Sequence, residues 1–180
     1  MINVIGGKYR SRQLETPTSG TLPTKNMVRG ALFSALGDIS GASVLDLFAG
    51  SGALGIEALS RGAAYATFVD SSKEAVSVIK NNLTKLKEEH GLVLFLDAMK
   101  ALEKLSTEKR VYDVVFLDPP YANKAIYQQA LNAMLEYGML SSGAKIILEY
   151  EGELPLDDSH FTARRDYRYG KSKLIYLRKE

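Results

Sequence analysis

The sequence predicts a single α/β domain with a doubly wound, mostly parallel, seven-stranded sheet and an antiparallel C-terminal strand. Short apolar segments alternate with helical patterns between residues 43 and 149, as is typical of parallel strands joined by helices. The final two predicted strands, 161–168 and 173–178, are joined at Tyr169-Gly170-Lys171. Because this link is too short for a helical crossover, we expect these segments to pair antiparallel. A length of 180 residues suits one such domain.

The first residues predict a small β-hairpin in front of this sheet. Residues 2–5 and 12–15 favour its two strands, because Gly6 and Gly7 interrupt the extended pattern between them. Basic residues alternate around Tyr9, so all three could point from one face: Lys8, Arg10 and Arg12. Aromatic residues among basic ones suit single-stranded nucleic acid, in which bases stack and phosphates pair.

A helix is predicted next, from Thr24 as its N-cap to Leu36, because apolar residues recur at helical spacing. On this helix Arg29 should point away from the core. We therefore divide the chain into a hairpin-and-helix extension, residues 1–40, and a sheet domain, residues 41–180.

The remaining elements follow from runs of apolar residues and from the turn residues between them. Strands are predicted at 43–48, 66–69, 92–96, 113–117, 145–149, 161–168 and 173–178. Helices are predicted at 53–61, 72–89, 99–105 and 123–136. The first five strands are nearly all apolar, as expected for strands that are covered on both faces.

The segment from Val44 to Gly55 has the pattern of a ligand-binding loop between a buried strand and a helix. Gly50 and Gly52 allow backbone angles that other residues avoid, and they let the main chain approach a ligand closely. With Gly55 they match the glycine pattern of dinucleotide-binding folds. A nicotinamide-dependent oxidoreductase is therefore one function that this loop allows.

Four predicted parallel strands carry an aspartate at or near their carboxyl ends. Ligands bind outside those ends in such sheets, so the carboxylates should converge on one edge. The second of them follows the glycine loop by about 20 residues, the position of an acid that binds ribose hydroxyls. Any one of them could instead only cap the next helix. The four are Asp46, Asp70, Asp97 and Asp118.

The tetrapeptide Asp118-Pro119-Pro120-Tyr121 follows a very apolar strand. Its two prolines fix the turn and remove two backbone donors, which leaves acceptors facing the crevice. A carboxylate, carbonyl groups and an aromatic face in a stiff frame suit the exocyclic amine of a planar base. The motif therefore predicts amine chemistry on a nucleobase.

Composition limits the other functions. Without cysteine the chain has no disulfide, no thiolate metal site and no cysteine nucleophile. No apolar run approaches the roughly 20 residues of a membrane span, and the amino terminus lacks a signal-peptide pattern, so we expect a cytoplasmic protein. His90 and His160 fall in predicted loops, and no ligand cluster predicts a metal.

The two ends of the chain are basic and the middle is acidic. Residues 1–30 carry a net charge of +4, residues 159–180 of +5 and residues 31–158 of −7, which together give the total of +2. This distribution predicts a polyanion contacted from the termini, although short basic ends can also be plain solvated surface. The candidate phosphate contacts are Lys8, Arg10, Arg12, Arg29, Arg164, Arg168, Lys171 and Lys173.

Three stretches of the chain together resemble the RsmD family. These proteins are bacterial methyltransferases, dependent on S-adenosylmethionine, that act on the 2-amino group of a guanine in small-subunit ribosomal RNA. The similarity runs from residue 1 to about residue 150, and the sequence departs from the family pattern at Leu22, Asn26 and Gly30. The stretches are Gly6-Gly7-Lys8-Tyr9-Arg10, the Pro23-Thr24 region through Phe33, and Phe48 to Gly62, with Asp118-Pro119-Pro120-Tyr121 in support.

The resemblance implies a Rossmann-like methyltransferase sheet and a role for each motif. It implies that the 1–40 extension contacts RNA, that Asp70 binds the ribose of the cofactor, and that Asp97 with Ala98 binds its adenine. It implies ribosomal RNA as the partner. Apart from the resemblance, we expect the protein to be a monomer. The loop implied to hold the methionine part of S-adenosylmethionine comprises Asp46, Phe48, Ala49, Gly50, Ser51 and Gly52. The residues implied to hold the target guanine are Asp118, Pro119, Pro120 and Tyr121.

The expected reaction is direct methyl transfer to the amine, because the chain has no cysteine for a covalent adduct. Four alternatives stay open at this point. An adenine amino-methyltransferase uses a similar tetrapeptide, and a protein-glutamine methyltransferase has Asn where Asp118 stands. The nicotinamide-dependent oxidoreductase would leave Asp118 to Tyr121 unused, and a silent RNA-binding module would not need them.

Overall fold

The computed structural model describes residues 1–19, 26–120 and 123–180, and within them the chain forms nine strands and five α-helices. The strands are β1 Ile2–Asn3, β2 Gln13–Leu14, β3 Ser43–Asp46, β4 Tyr65–Asp70, β5 Gly91–Phe95, β6 Tyr112–Leu117, β7 Leu140–Glu151, β8 Ala163–Tyr169 and β9 Ser172–Arg178. The helices are α1 Asn26–Leu36, α2 Ala53–Ser60, α3 Lys73–Leu86, α4 Ala98–Thr107 and α5 Ala125–Glu136. The predicted N-cap Thr24 lies outside the described residues.

Seven strands form one sheet in the order β5-β4-β3-β6-β7-β9-β8. Strands β3 to β7 pair in parallel, whereas β9 pairs antiparallel with β7 and β8 antiparallel with β9. This confirms the predicted doubly wound sheet with its antiparallel C-terminal end. The chain moves outward from β3 to β5 and then returns to β6 on the other side of β3, so a crevice opens where β3 and β6 end side by side. We call the edge at which β3 to β6 end the carboxyl edge, and the opposite one the amino edge.

The helices cover both faces of the sheet, which explains the apolar character of its strands. On one face Leu32 of α1, Ile56 of α2 and Ile79 of α3 belong to one buried cluster. On the other face Leu102 of α4 and Leu131 of α5 belong to a second cluster. None of the helices in the described part of the chain is long and apolar enough to cross a membrane.

The predicted hairpin exists, but its strands are only two residues long each. Ile2 lies opposite Leu14 in an antiparallel pair, and Gly7–Tyr9 form a turn of 3-10 helix between the strands. Lys8 therefore lies in a helical turn, so the strand alternation that was expected to bring Lys8, Arg10 and Arg12 to one face does not apply here. The chain turns through these residues because Gly7 adopts a φ of +75° against the end of α2, where a Cβ would lie 1.8 Å from the carbonyl oxygen of Ser60.

Arg29 was expected on the outer side of α1, and this expectation is also wrong. Its side chain is fully buried, because β1 covers that side of the helix. One guanidinium nitrogen, Nη2, donates to the carbonyl oxygen of Asn3 and to Oδ1 of Asn26, the latter at 3.0 Å. Nε and Nη1 have no hydrogen-bond partner among the described residues. Burial lowers the pKa of Arg29, an effect that the charge of Glu57 opposes.

Candidate active site

A cavity of about 480 Å³ opens at the carboxyl edge, where the paired strands β3 and β6 end. Three of the four predicted strand-end aspartates line it together: Asp70, Asp97 and Asp118. The glycine loop supplies one wall through Phe48, Ala49, Gly50 and Ser51. The cavity therefore joins the two motifs that the sequence set about 70 residues apart.

The glycine loop reaches the cavity through two residues with left-handed backbone angles, Gly50 at a φ of +56° and Gly52 at +80°. A Cβ on Gly50 would meet nothing within 4 Å, so conformation and not space favours glycine there. The N–H of Gly52 donates to the carbonyl oxygen of Ala49 at 2.7 Å, which closes the turn before α2 begins. Gly52, which the family resemblance assigned to the cofactor, is not among the described residues that line the cavity.

Asp70 joins the glycine loop to the start of α3. Its Oδ2 accepts the N–H of Gly50 at 2.8 Å, and its Oδ1 accepts the N–H of Ser72 at 2.8 Å. Each carboxylate oxygen has a second lone pair for a further donor. Asp70 can therefore hold the loop and still accept hydrogen bonds from the hydroxyl groups of a ligand in the cavity.

Asp46 does not contact the cavity, although it was expected to bind the cofactor. It is 1% exposed and lies beneath the loop, where its Oδ2 accepts the N–H of Gly55 at 3.0 Å. Burial raises the pKa of this carboxyl to about 7; the bond from Gly55 opposes the shift and the charge of Asp70 adds to it. Its role in this structure is to fix the first turn of α2.

Asp97 caps the next helix and also lines the cavity. As the N-cap of α4, its Oδ1 accepts the N–H of Met99 at 3.0 Å and that of Lys100 at 3.3 Å. Asp97 and the following Ala98 also line the cavity, and Asp97 follows β5, which β4 and β3 separate from the strand that leads to Asp118. The cap therefore fixes a carboxylate that a ligand can still reach.

The tetrapeptide motif that begins at Asp118 continues directly from β6 into the cavity wall. Asp118, Pro119 and Pro120 all line the cavity; Asp118 is half-buried, Pro119 buried and Pro120 exposed. Neither proline has a backbone N–H, so this part of the wall presents acceptors. Tyr121, the last residue of the motif, lies outside the described residues.

The charge of the cavity distinguishes between possible ligands. Three aspartates line it, whereas its described lining includes no lysine or arginine. Such a lining is unfavourable for a ligand with many negative charges and favours one with positive charge. A ligand with positive charge, such as a sulfonium compound that also carries an amino group, is compatible with this wall.

Sequence reasoning missed part of the lining. Asn123 and Ile126 follow the motif closely, and a polar residue at the start of the next helix was a signal that could have identified Asn123. Pro17 and Ser19 come from the N-terminal extension and also line the cavity. No local pattern marks these two residues, because the other residues that line the cavity lie at least 28 positions away along the chain.

The N-terminal basic residues lie away from the cavity, at the amino edge. The N–H of Tyr9 donates to Oγ of Ser60 at 2.9 Å, and Arg12 donates to the carbonyl oxygen of Lys85 at 3.3 Å. Ser60 ends α2, and Lys85 lies in the last turn of α3. Since α3 has 14 residues, it separates this loop from the carboxyl edge by roughly 20 Å.

Lys8 and Tyr9 also have partners within the protein. Nζ of Lys8 lies 2.7 Å from Oε2 of Glu88, and the Tyr9 hydroxyl donates to the same atom at 2.6 Å. Burial alone would raise the pKa of Glu88, but hydrogen bonds from Lys8, Tyr9 and His90 hold it at about 2. Tyr9 therefore packs and bonds internally and does not stand free to stack on a base.

The C-terminal basic residues divide between the two edges, because β8 and β9 form an antiparallel hairpin. Its turn lies at the carboxyl edge, since Glu151 at the end of β7 pairs with Ser172. Arg168 and Lys173 lie opposite each other beside this turn, and Lys171 lies within it. Nζ of Lys173 donates to the carbonyl oxygen of Gly152 at 2.6 Å.

Two further basic residues, Arg164 and Lys124, affect the charge of this surface. Arg164 lies toward the amino edge, where its guanidinium is 2.9 Å from Asp166 and 3.0 Å from Asp158, so its charge is neutralised locally. These two carboxylates raise the pKa of Arg164. Lys124, which was not predicted, donates to the carbonyl oxygen of Glu153 and lies beside Gly152, three positions after the tetrapeptide motif.

Comparison with known proteins agrees with this arrangement. The family model described as "Conserved hypothetical protein 95" matches residues 2–178. The chain is 37% identical over 169 residues to the ribosomal RNA small subunit methyltransferase D of Escherichia coli strain K12, which covers 92% of this chain and 83% of that protein.

Two solved structures show the same fold. The Escherichia coli protein yhhF superposes with a TM-score of 0.85 at 34% identity, covering 99% of this chain and 98% of the other. The Thermus thermophilus 16S rRNA N2 G1207 methyltransferase (RsmC), solved with AdoMet and guanosine, gives a TM-score of 0.73 at 24% identity. That match covers 91% of this chain and 44% of the Thermus chain.

Proposed function

Because this chain belongs to the RsmD family of ribosomal RNA methyltransferases, we propose that it methylates a guanine of small-subunit ribosomal RNA. The group transferred is the methyl group of S-adenosylmethionine, and the acceptor is the exocyclic 2-amino group. The observation that carries the proposal is the shared cavity, in which Asp118 and Pro119 of the amine-binding motif face the same space as Gly50 and Asp70.

The cavity residues fit S-adenosylmethionine, the cofactor of this family. When bound, the cofactor supplies a methyl group attached to a positively charged sulfur. Asp70 would hold the ribose hydroxyls, Asp97 with Ala98 the adenine, and the main chain of Ala49 to Ser51 the methionine part. The absence of lysine and arginine from the described lining supports a cationic ligand over a polyanionic one.

Asp118 and the prolines after it provide what an attacking amine needs from the protein. The Asp118 carboxylate accepts a hydrogen bond from the amine and receives the proton that the amine releases. The carbonyl groups of the proline pair are further acceptors for its second hydrogen. Fixed acceptors orient the nitrogen and stabilise the positive charge that develops on it. Since the amine of a paired guanine is not accessible in this way, the target base must be unpaired or flipped.

We propose the turn between β8 and β9 as the RNA-binding surface nearest the target. Arg168, Lys171 and Lys173 lie there at the carboxyl edge, and Lys124 adds a fourth positive charge beside the catalytic motif. Lys8, Arg10 and Arg12 could contact only RNA that extends to the amino edge. Phosphate contacts of this kind position the RNA and do not select its sequence.

The test is methylation in vitro with labelled S-adenosylmethionine. The substrates are naked ribosomal RNA and small ribosomal subunits from cells that lack this protein, and the RNA is digested to nucleosides after the reaction. We expect labelled 2-methylguanosine. Asp118→Asn should reduce its formation by at least about 100-fold. The matched control is Asp38→Asn, an exposed aspartate at the amino edge that should leave the rate unchanged.

The identity of the labelled nucleoside distinguishes the remaining alternatives. If it is 6-methyladenosine, the proposed mechanism stands but the target is adenine and not guanine. If neither naked ribosomal RNA nor small subunits become labelled, ribosomal RNA is not the substrate. Full activity of Asp118→Asn would reject the proposed role of this carboxylate.

A further inference from the structure

Residues 13–19, which we call the strap, lie along the full length of α3. The strap follows directly after Arg12, which donates to the carbonyl oxygen of Lys85 near the C-terminal end of that helix. It ends beside the first turn, where Ser19 donates to Glu74. Since α3 runs from the carboxyl edge to the amino edge, the strap brings the N-terminal chain back to the cavity.

Asn82 fixes the middle of the strap to the glycine loop. Its Oδ1 accepts the N–H of Glu15 at 2.8 Å, and its Nδ2 donates to the carbonyl oxygen of Glu15 at 3.0 Å. Nδ2 also donates to the carbonyl oxygen of Ser51 at 3.0 Å. Asn82 is fully buried, so one amide connects the strap to the loop that lines the cavity.

Glu74 fixes the end of the strap. Its Oε1 accepts the backbone N–H of Thr18 at 2.7 Å and the Thr18 hydroxyl at 2.6 Å. Its Oε2 accepts the Ser19 hydroxyl, and the N–H of Ser19 lies 3.4 Å from the same oxygen. The Ser19 and Thr18 hydroxyls and the Thr18 N–H together hold the pKa of Glu74 at about 2. The carboxylate is therefore ionised and receives four donors from two adjacent strap residues.

The fixed end of the strap is part of the cavity wall. Pro17 and Ser19 line the same space as Asp70, Ser72 and Ala75. We propose that the strap is a component of the cofactor-binding site and that Glu74 is the residue that positions it. This inference rests on the proposed function, since it assumes that the cavity binds S-adenosylmethionine.

The contact pattern distinguishes this role from simple attachment of the N-terminus. Val4 and Leu14 are 2% and 1% exposed, so the apolar core already anchors the hairpin without Glu74. The four donors to Glu74 come only from the part of the strap that borders the cavity. Loss of Glu74 should therefore release the wall of the cavity and leave the hairpin in place.

The experiment measures binding of S-adenosylhomocysteine to the full-length protein by calorimetry. Glu74→Ala should raise the Kd by about tenfold, because four hydrogen bonds no longer order the wall before binding. Glu74→Gln should lie between Ala and the wild type, since the amide keeps one acceptor oxygen. The matched control is Glu136→Gln, an exposed glutamate in the last turn of α5.

A second variant removes the two hydroxyl donors, keeps the two backbone N–H donors and leaves α3 unchanged. Thr18→Val with Ser19→Ala should raise the Kd in the same direction as Glu74→Ala, while the charge at the start of α3 stays. Steady-state kinetics give a further readout: the KM for S-adenosylmethionine should rise with the Kd, and kcat at saturating cofactor should stay near that of the wild type.

The outcomes separate this inference from the function on which it rests. Failure of the wild type to bind S-adenosylhomocysteine would overturn the proposed function. If the wild type binds it and methylates RNA, an unchanged Kd in Glu74→Ala would overturn only the role of the strap. A lower melting temperature with an unchanged Kd would show that Glu74 only stabilises the fold.

Discussion

Oδ2 of Asp70 accepts the backbone N–H of Gly50 at 2.8 Å. The acid at the end of β4 thereby fixes the left-handed turn at the end of β3, although the two residues are 20 positions apart. The other oxygen of the same carboxylate holds the N–H of Ser72, just before α3. Two strand ends and one helix start are thus set relative to each other by a single side chain that also lines the cavity.

Replacement of Asp70 by Asn should weaken cofactor binding. The amide has one acceptor oxygen, so its NH2 group must face the N–H of either Gly50 or Ser72. We expect the affinity for S-adenosylhomocysteine to fall at least about tenfold, and the free energy of unfolding by about 1–2 kcal/mol. Calorimetry and urea unfolding measure the two effects.

Asp157→Asn is the control for this variant, since Asp157 also accepts the N–H of a residue two positions on, at 3.0 Å, in an exposed loop. Equal affinity for S-adenosylhomocysteine in wild type, Asp70→Asn and the control would show that Asp70 does not shape the site.

Asp46 should make the stability of the protein depend on pH. Its pKa is about 7 in the folded state because the carboxyl is buried, against an ordinary value of 3.8. Between these values the unfolded chain ionises Asp46 while the folded protein keeps it protonated, so the free energy of unfolding falls as pH rises from about 4 to about 7. Asp46→Asn removes this contribution, and its amide oxygen can still accept the N–H of Gly55.

Urea unfolding at a series of pH values tests this prediction. Relative to wild type, Asp46→Asn should gain stability as pH rises and should exceed it by roughly 2 kcal/mol at about pH 8. A difference between the two proteins that is the same at every pH would contradict the raised pKa of Asp46.

The same substitution at two helical glycines should have opposite effects. In Gly55→Ala the new Cβ would lie 2.3 Å from a ring carbon of the buried Phe68, so we expect a loss of about 1–3 kcal/mol. In Gly30→Ala the Cβ would meet nothing within 4 Å, and α1 should gain about 0.5–1 kcal/mol. Thermal and urea unfolding measure both. Each variant serves as the control for the other, and effects of equal sign would argue against the packing described here.

The basic residues at the carboxyl edge should account for more of the salt dependence of RNA binding than the other basic residues do. Replacement of Lys171 and Lys173 together by Ala should reduce the slope of log K against log salt by about 2 on a short RNA around the target. Arg164→Ala should leave the slope unchanged, because Asp158 and Asp166 already neutralise that charge. A larger effect of Arg164→Ala than of the double variant would reject this assignment.

Much of the fold could be predicted because its signals are local. The apolar runs and the turn residues between them placed each strand of the main sheet within a few residues, except that β7 begins at Leu140 and not at residue 145. The early start follows from a shift in the pairing register between β6 and β7. Tyr112 pairs with Leu140, whereas Val114, two residues later, pairs with Lys145. A register shift of this kind depends on the neighbouring strand and leaves no periodic pattern in the sequence.

The candidate site was predictable where it depends on topology. Asp70, Asp97 and Asp118 lie at one cavity because parallel strands end at the same edge, and the chain order alone fixes that. The direction of Asp46 was not predictable. Its strand is buried on both faces, and whether a strand-end carboxylate faces the ligand or the helix behind it depends on the packing of α2.

Neighbouring residues encode the order of strands and helices, the glycine loop and the motif at Asp118, so all three could be predicted from the sequence. Three other features became visible only in the folded protein: Arg29 is buried, the N-terminal basic loop lies at the edge opposite the cavity, and Pro17 and Ser19 line the cavity. These outcomes depend on contacts between residues far apart in the chain, and such contacts are set by how the extension packs against α2 and α3.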